Sequence, residues 1–463
     1  MKWLQSKRWK RIIWALLGVV LATISYGLLQ LIEPVRLAPI ATPGQVPPFE
    51  GQMLLVASDA DMVATAYADA RLDRVSGVED ALSVLKLPLD ASEPAVASVQ
   101  VSNSVMSWPQ IIAVSPNGAR AYVAEVRSRP ADDIQEFDSI DEMPAGTNIT
   151  VVDIANPAQP QVIESVPVGR NPEHISISPD GRFLAVNLTE PDQELLIVQL
   201  EADGRLGKRT YFPMPTDGTR EENYAAIWHP SGRFLAMTQN NNREVGFYQV
   251  EIAADDSVTV MPYGEALTVG NHLSNARFTR DGRFLLVPDL KWSTYGVQTL
   301  NFLLNPKGEM IAIRFEPESG ESPAIVSRAE VGLSPEGFAL SPDNALIATV
   351  NMQRTYLPSY IPAWRGKPYS SLSLVQFDPV SGELNTVGEY GFEGLLPEQA
   401  TFDASGRSLA VVIFNYREPS PERGAIEFWT VVPANPPRLE RTGYTVDVVR
   451  GAHDIILVHH RTG

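Results

Sequence analysis

The side chains able to do chemistry in this sequence are carboxylates, imidazoles, amides and hydroxyls, because among 463 residues there is no cysteine. That absence removes disulfides, zinc ribbons and thiol nucleophiles together. One set recurs at equivalent places ahead of short apolar runs: Gln110, Glu173, His174, Asn223, Asn275, Glu336, Glu398 and His453. Amides, carboxylates and two imidazoles converging from distant parts of a chain can hold a polyol, a sugar or a divalent cation, although polar residues at such places are also ordinary solvated surface. The other histidines carry weaker signals. His229 stands where related segments have serine, and His459 and His460 are neighbours, so on a strand they point to opposite faces and cannot readily share a metal. No Gly-x-Ser-x-Gly, His-Glu-x-x-His or Gly-x-x-x-x-Gly-Lys motif occurs, so no resident metal or cofactor is expected.

Two loops add candidates. Residues 129–146 carry Asp132, Asp133, Glu136, Asp138, Asp141 and Glu142, whose spacing offers oxygen ligands to calcium but departs from the EF-hand order; a solvated acidic loop fits as well. Residues 353–371 carry Tyr356, Tyr360 and Trp364 among Pro358, Pro362 and Pro368. Such rings either form a platform for a partner or a carbohydrate, or fold back onto the domain.

The elements that must position these residues are strands. Beyond residue 50 no stretch sustains a 3.6-residue period, while short β-branched and aromatic runs alternate with turn signals. One unit keeps returning: a strand, a tight turn, and an apolar strand, as in Ser115-Pro116-Asn117-Gly118, Ser178-Pro179-Asp180-Gly181 and Ser341-Pro342-Asp343-Asn344. Further copies centre on His229-Pro230-Ser231-Gly232, Thr279-Arg280-Asp281-Gly282 and Asp403-Ala404-Ser405-Gly406. Proline presets one turn angle and Gly or Asn accepts positive φ, so each copy predicts a β-hairpin. The spacing of roughly 50–60 residues leaves room for four strands of about 5–6 residues with their loops. Four-stranded units of this kind stack radially and close on themselves, which predicts an all-β, seven-bladed propeller of four-stranded antiparallel blades over residues 50–463. The seventh blade is expected from Met53–Ala57, Val63–Tyr67, Ala81–Leu87 and Val96–Val101, with Ala452–Val458 pairing back to latch the ring; eight blades follow if that last strand starts its own.

The N-terminus reads separately. Lys2, Lys7, Arg8, Lys10 and Arg11 precede an uncharged apolar run over residues 12–32, long enough at about 1.5 Å per residue to span a bilayer. This predicts a cytoplasmic segment (1–11), a single transmembrane signal anchor (12–32), a proline-rich linker (33–49) and a propeller on the periplasmic side of the cytoplasmic membrane. A cleaved signal peptide is the alternative. With the six cations and one carboxylate up to Arg36 set aside, the remainder carries 31 cations against 54 anions. That surface repels phosphate backbones, so no nucleic-acid partner is expected.

The Ser-Pro-Asp-Gly hairpins followed by aromatic-aliphatic strands resemble those of the YVTN and lactonase-like seven-bladed propellers, and the likeness runs over roughly residues 50–459. Val198–Leu206 and Phe377–Leu384 are similar to that family's outer hairpins. The bacterial phosphogluconolactonase-like members have Gly-Pro-Arg-His ahead of one inner strand, and the matching stretch here is Asn171-Pro172-Glu173-His174. The resemblance points to His174, which with Glu173 as its orienting partner reads as a general base activating water, or else as a strand-start histidine packing near the channel mouth. A glutamate in the arginine slot replaces a cation that would hold phosphate, which argues against a phosphosugar substrate. Because one fold serves many functions, the expectation is a membrane-anchored module that binds a protein or small polar ligand at one ring face, with a lactonase-like hydrolase as the alternative.

Overall fold

The computed structural model describes residues 14–23, 35–90, 95–214, 225–239, 243–292, 294, 306–359, 366–415 and 423–459. Seven antiparallel sheets are arranged in chain order around an axis. Blade 1 runs from inside to outside as Ala452–Val458, Met53–Ser58, Ala81–Lys86 and Val96–Gln100. Blades 2 to 7 start with the innermost strands Ile112–Val114, His174–Ile177, Ala225–Trp228, Arg277–Phe278, Pro335–Leu340 and Ala400–Phe402. Each then meanders outward through three more strands, ending in blade 7 with Arg438–Val449, and in blade 4 a short fifth strand, Leu267–Thr268, also pairs with Glu244–Ile252.

Burial follows the radial position. The second strands, such as Phe183–Asn187, Phe284–Asp289 and Ser408–Ile413, are buried throughout because a blade covers each face. Outer strands such as Gln161–Pro167 mix exposed and half-buried residues. The apolar clusters accordingly lie between neighbouring blades.

The repeated turns owe their geometry to their first residue. Its side-chain oxygen accepts from the amide that starts the next strand: Phe183 N to Ser178 Oγ at 3.0 Å, Phe284 N to Thr279 Oγ1 at 3.1 Å, Leu346 N to Ser341 Oγ at 2.9 Å and Ser408 N to Asp403 Oδ1 at 3.0 Å. This satisfies a backbone donor that the hairpin alone would leave open.

Closure is made by Ala452–Val458, which pairs with Met53–Ser58 from Met53↔Val458 to Ser58↔Ala452. Blade count is therefore seven. The expected strand at Val63–Tyr67 is not one: the closing strand already occupies the edge beside Met53–Ser58, and the chain instead forms a short helix, Ala66–Asp69, above the ring. Nor does the proline-rich segment stand free over its described part. Leu37 and Ile40 bridge in parallel to Gly391 and Arg441 on the outer strands of blades 6 and 7, and Phe49 packs edge-on to Phe428 at 5.3 Å.

Residues 14–23 are helical, and no helix among the described residues is long and apolar enough to cross a membrane. The rest of the expected 12–32 span lies outside the described residues.

Candidate active site

The starts of the inner strands converge on the axis, as the sequence suggests, but they do not form a solvated mouth. Glu173, His174, Asn275, Glu336, Glu398 and His453 are all buried, and Gln110 is half-buried. Asn223 lies outside the described residues. The seal is an apolar lid gathered from loops of five blades: Met62 and Leu72 from blade 1, Met143 from blade 2, Leu290 from blade 5, Met352 and Tyr356 from blade 6, and Leu396 and Phe414 from blade 7, joined by Val105 and Trp108 of the connection between blades 1 and 2. That connection spans the axis: Ser107 Oγ donates to the Glu173 carbonyl of blade 3, and Asn275 Nδ2 of blade 5 donates to the Pro109 carbonyl at 3.3 Å. Tyr356 belongs to this lid, 1% exposed and with its ring 5.4 Å from that of Trp292, so it folds back rather than forming a platform. Tyr360 and Trp364 lie outside the described residues.

The two inner imidazoles differ in what they have left to offer. His174 Nδ1 accepts from the Ala226 amide at 3.3 Å, so Nε2 carries the proton and donates to Gln110 Oε1 at 2.6 Å. Both nitrogens are committed, and the ring is oriented by Gln110 and blade 4. In His453, Nε2 meets Asn103 Oδ1 at 2.8 Å. Asn103 Nδ2 already donates to the Ser58 and Val101 carbonyls, so its oxygen must face His453 and accept. His453 Nε2 is then the protonated nitrogen, and Nδ1 presents a bare lone pair toward Glu398 Oε2, 3.9 Å away. That gap is too long for a direct hydrogen bond.

Burial sets the protonation states. It pushes His453 and His174 down to about 3 and His272 to about 4, so these rings are neutral at pH 7. It raises Glu336 and Glu398 well above the ordinary carboxyl range, Glu398 being raised further by Glu336, Asp59 and Asp454. Both Glu398 oxygens, Asn275 Oδ1 and Gln399 Nε2 are buried without a hydrogen-bond partner among the described residues. Orphaned buried polar atoms of this kind mark a place for water or substrate. A neutral acid facing a neutral base is thus built into the axis, with the Tyr67 hydroxyl held protonated nearby by burial and by the same carboxylates.

The sign of the pH dependence follows. A carboxyl raised in the folded state favours folding while protonated and loses that contribution as pH rises through its folded pKa. The depressed histidines act oppositely, costing stability as pH falls below their unfolded value of 6.5 toward 3 to 4. Above about pH 7.5 these histidines are neutral in both states and the raised carboxyls set the sign. Thermal melts are expected to show stability falling as pH rises above about 7.5, until the raised carboxyls ionise in the folded state, at up to about 1.4 kcal/mol per pH unit for each proton that unfolding releases. Glu398→Gln should flatten that slope and exceed wild type in melting temperature at pH 9. A wild-type melting temperature that rises over this range contradicts the assignment.

Sequence reasoning missed a second group below the lid. Asp59, Asp61 and Asp80 bring carboxylate oxygens within 4.8 Å of one another. They act as backbone staples: Asp59 takes the Asp61 and Val105 amides at 2.8 and 3.0 Å, and Asp80 takes those of Ala60 and Asn103 at 2.8 and 3.1 Å. Arg129 closes onto Asp61 at 3.0 Å, while the carboxylates of its own loop, Asp132 to Glu142, are exposed. The staples fix Asn103 and so the tautomer of His453. Two residues beyond each other's reach in sequence, Arg277 and Asp454, also meet at the axis, where burial lifts Asp454 to about 6 despite two amide donors.

No family model and no curated protein sequence matches the chain. Solved structures do. The periplasmic gluconolactonase of Pseudomonas aeruginosa superposes with a TM-score of 0.61 at 17% identity, over 88% of this chain and 98% of that one. A protein of Bacteroides uniformis described as a candidate 6-phosphogluconolactonase gives 0.59 at 12% identity, over 88% and 100%. One from Bacteroides fragilis, described likewise, gives 0.57 at 13%, over 88% and 98%. By its fold, the chain is a seven-bladed β-propeller, and it shares that architecture with these lactonase-like structures.

Proposed function

We propose that the protein is a lactonase-like hydrolase acting on a small uncharged lactone at the ring axis, with His453 as general base and Glu398 as general acid. The observation that carries this reading is the His453–Glu398 pair: a neutral imidazole whose free Nδ1 faces, across 3.9 Å, a carboxyl whose two oxygens have no partner. Acid and base poised in opposite protonation states are what ester hydrolysis requires. Water held by Nδ1 attacks the ring carbonyl and gives its proton to His453. Glu398 protonates the ring oxygen as the C–O bond breaks, and the product is an open-chain hydroxy acid. The proton on His453 then returns to Glu398. The likeness to gluconolactonase supports the substrate class, and the cluster of carboxyls around Glu398 favours a ligand without phosphate. His174 and Glu173 serve in this reading to position Gln110 and the lid connection.

The test is a pH-stat assay of the full-length protein on a panel of neutral sugar lactones, corrected for spontaneous opening. Saturable turnover supports the reading; rates equal to the blank across the panel overturn it. We further propose that residues 12–32 anchor the chain in the cytoplasmic membrane with the propeller on the periplasmic side, which carbonate extraction of membranes tests. The cation cluster ahead of the apolar run supports that orientation.

A further inference from the structure

We propose that the opposite face of the ring holds a second site, a funnel that binds a monocarboxylate carried on an apolar body, gripped by Arg277. This inference is independent of the hydrolase reading. The funnel, of about 750 Å³, opens at the rim formed by the repeated turns, and its lining includes Val114, Phe278, Leu340, Phe402 and Ile456 with Arg277 among them. Arg277 lies on the innermost strand of blade 5 and is half-buried.

The guanidinium has no hydrogen bond or direct ion pair with any described residue; Asp454 acts on its charge through space, and the Phe338 ring centroid lies 5.9 Å away. The acids around it are engaged elsewhere. Asp454 Oδ2 accepts from the Ile111 and Ile112 amides at 2.9 and 3.0 Å. Asp403 accepts from the amides of Glu50, Arg407 and Ser408 and from the Ser405 hydroxyl. Two fully sequestered arginines are by contrast engaged: Arg441 forks onto Glu427 at 2.7 and 2.9 Å, and Arg450 donates to the Ala60 and Asp73 carbonyls. In a chain of formal charge −18, a guanidinium that faces an open cavity with its donors unspent on any described residue is available to an anion. Its planar fork matches a carboxylate in bidentate geometry, and apolar walls match an alkyl or aryl body behind it. Inorganic phosphate would find few further donors there, since the only other cation of the lining is Arg280 apart from the imidazole of His459.

Isothermal titration of the full-length protein with hexanoate tests this. Saturable binding is expected, with hexanamide at least tenfold weaker, since only the carboxylate satisfies Arg277. Arg277→Gln should weaken hexanoate at least tenfold, and Val114→Trp, which fills the funnel, should do the same. The hexanoate–hexanamide contrast uses the unmodified protein, so it decides the matter even where a variant misfolds. Absence of saturable hexanoate binding, equal binding of hexanamide, or tighter binding of inorganic phosphate than of hexanoate each overturns the proposal.

Discussion

Replacing His453 by Gln is expected to lower lactone turnover by about 10²- to 10⁴-fold, the usual worth of a positioned general base, with KM nearly unchanged. Glutamine can place its Nε2 where the imidazole Nε2 stands, keeping the donor to Asn103 Oδ1 at 2.8 Å, so the fold and the staples around it are preserved. What disappears is the lone pair facing Glu398. His174→Gln provides the contrast. The ring there already spends its lone pair on the Ala226 amide, so its loss should cost stability and leave kcat within a fewfold. Steady-state kinetics with circular dichroism on both variants separates the outcomes. A 10²-fold loss at His174 with little change at His453 would move the base to the histidine that the family resemblance points to.

Truncation after Gly451 is expected to abolish the native state rather than lower its melting point. The closing strand buries Ile455, Leu457 and Val458, each worth about 1.5–3 kcal/mol, so their sum is comparable with the whole stability of an ordinary domain. It also leaves Met53–Ser58 with an unpaired edge at the centre of the ring, a template for aggregation. His453 and Asp454 are lost with it, so activity and the amide lock on Ile111 and Ile112 go too. Near-UV circular dichroism and size-exclusion chromatography give the readout. A truncated protein that melts cooperatively within about 5 °C of the full chain would show that closure contributes little.

The site's chemistry shows how an all-β ring creates reactivity from ordinary residues. Among the described residues, six of the inner strands deliver one or two polar side chains to the axis, and no single blade could bury them. The converging strand starts and the lid remove water, and dehydration, reinforced at Glu398 by Glu336, Asp59 and Asp454, separates the protonation states of His453 and Glu398. The cost is carried by the surrounding staples, where carboxylates engage backbone amides at 2.8 to 3.1 Å.

From the sequence by itself, the architecture was determined: turn chemistry such as Ser178-Pro179-Asp180-Gly181 is local, strand patterning has a period of two, and both repeat at blade spacing. The closing role of Ala452–Val458 was legible for the same reason, as an inner-strand pattern left over after the last repeat. The set of axial residues was legible too, since equivalent positions in a repeat share a radius. Tertiary structure alone decided what those residues can do. The lid draws on segments up to 350 residues apart, as in the contact of Ala64 N with Asn415 Oδ1, and no local pattern announces it. Val63–Tyr67 has the makings of a strand, yet pairing is a property of available edges, and the edge was taken. Which imidazole keeps a free lone pair depends on whether an amide oxygen or an amide hydrogen faces it, a matter of angstroms between Asn103, Ala226 and two rings that the order of residues does not encode.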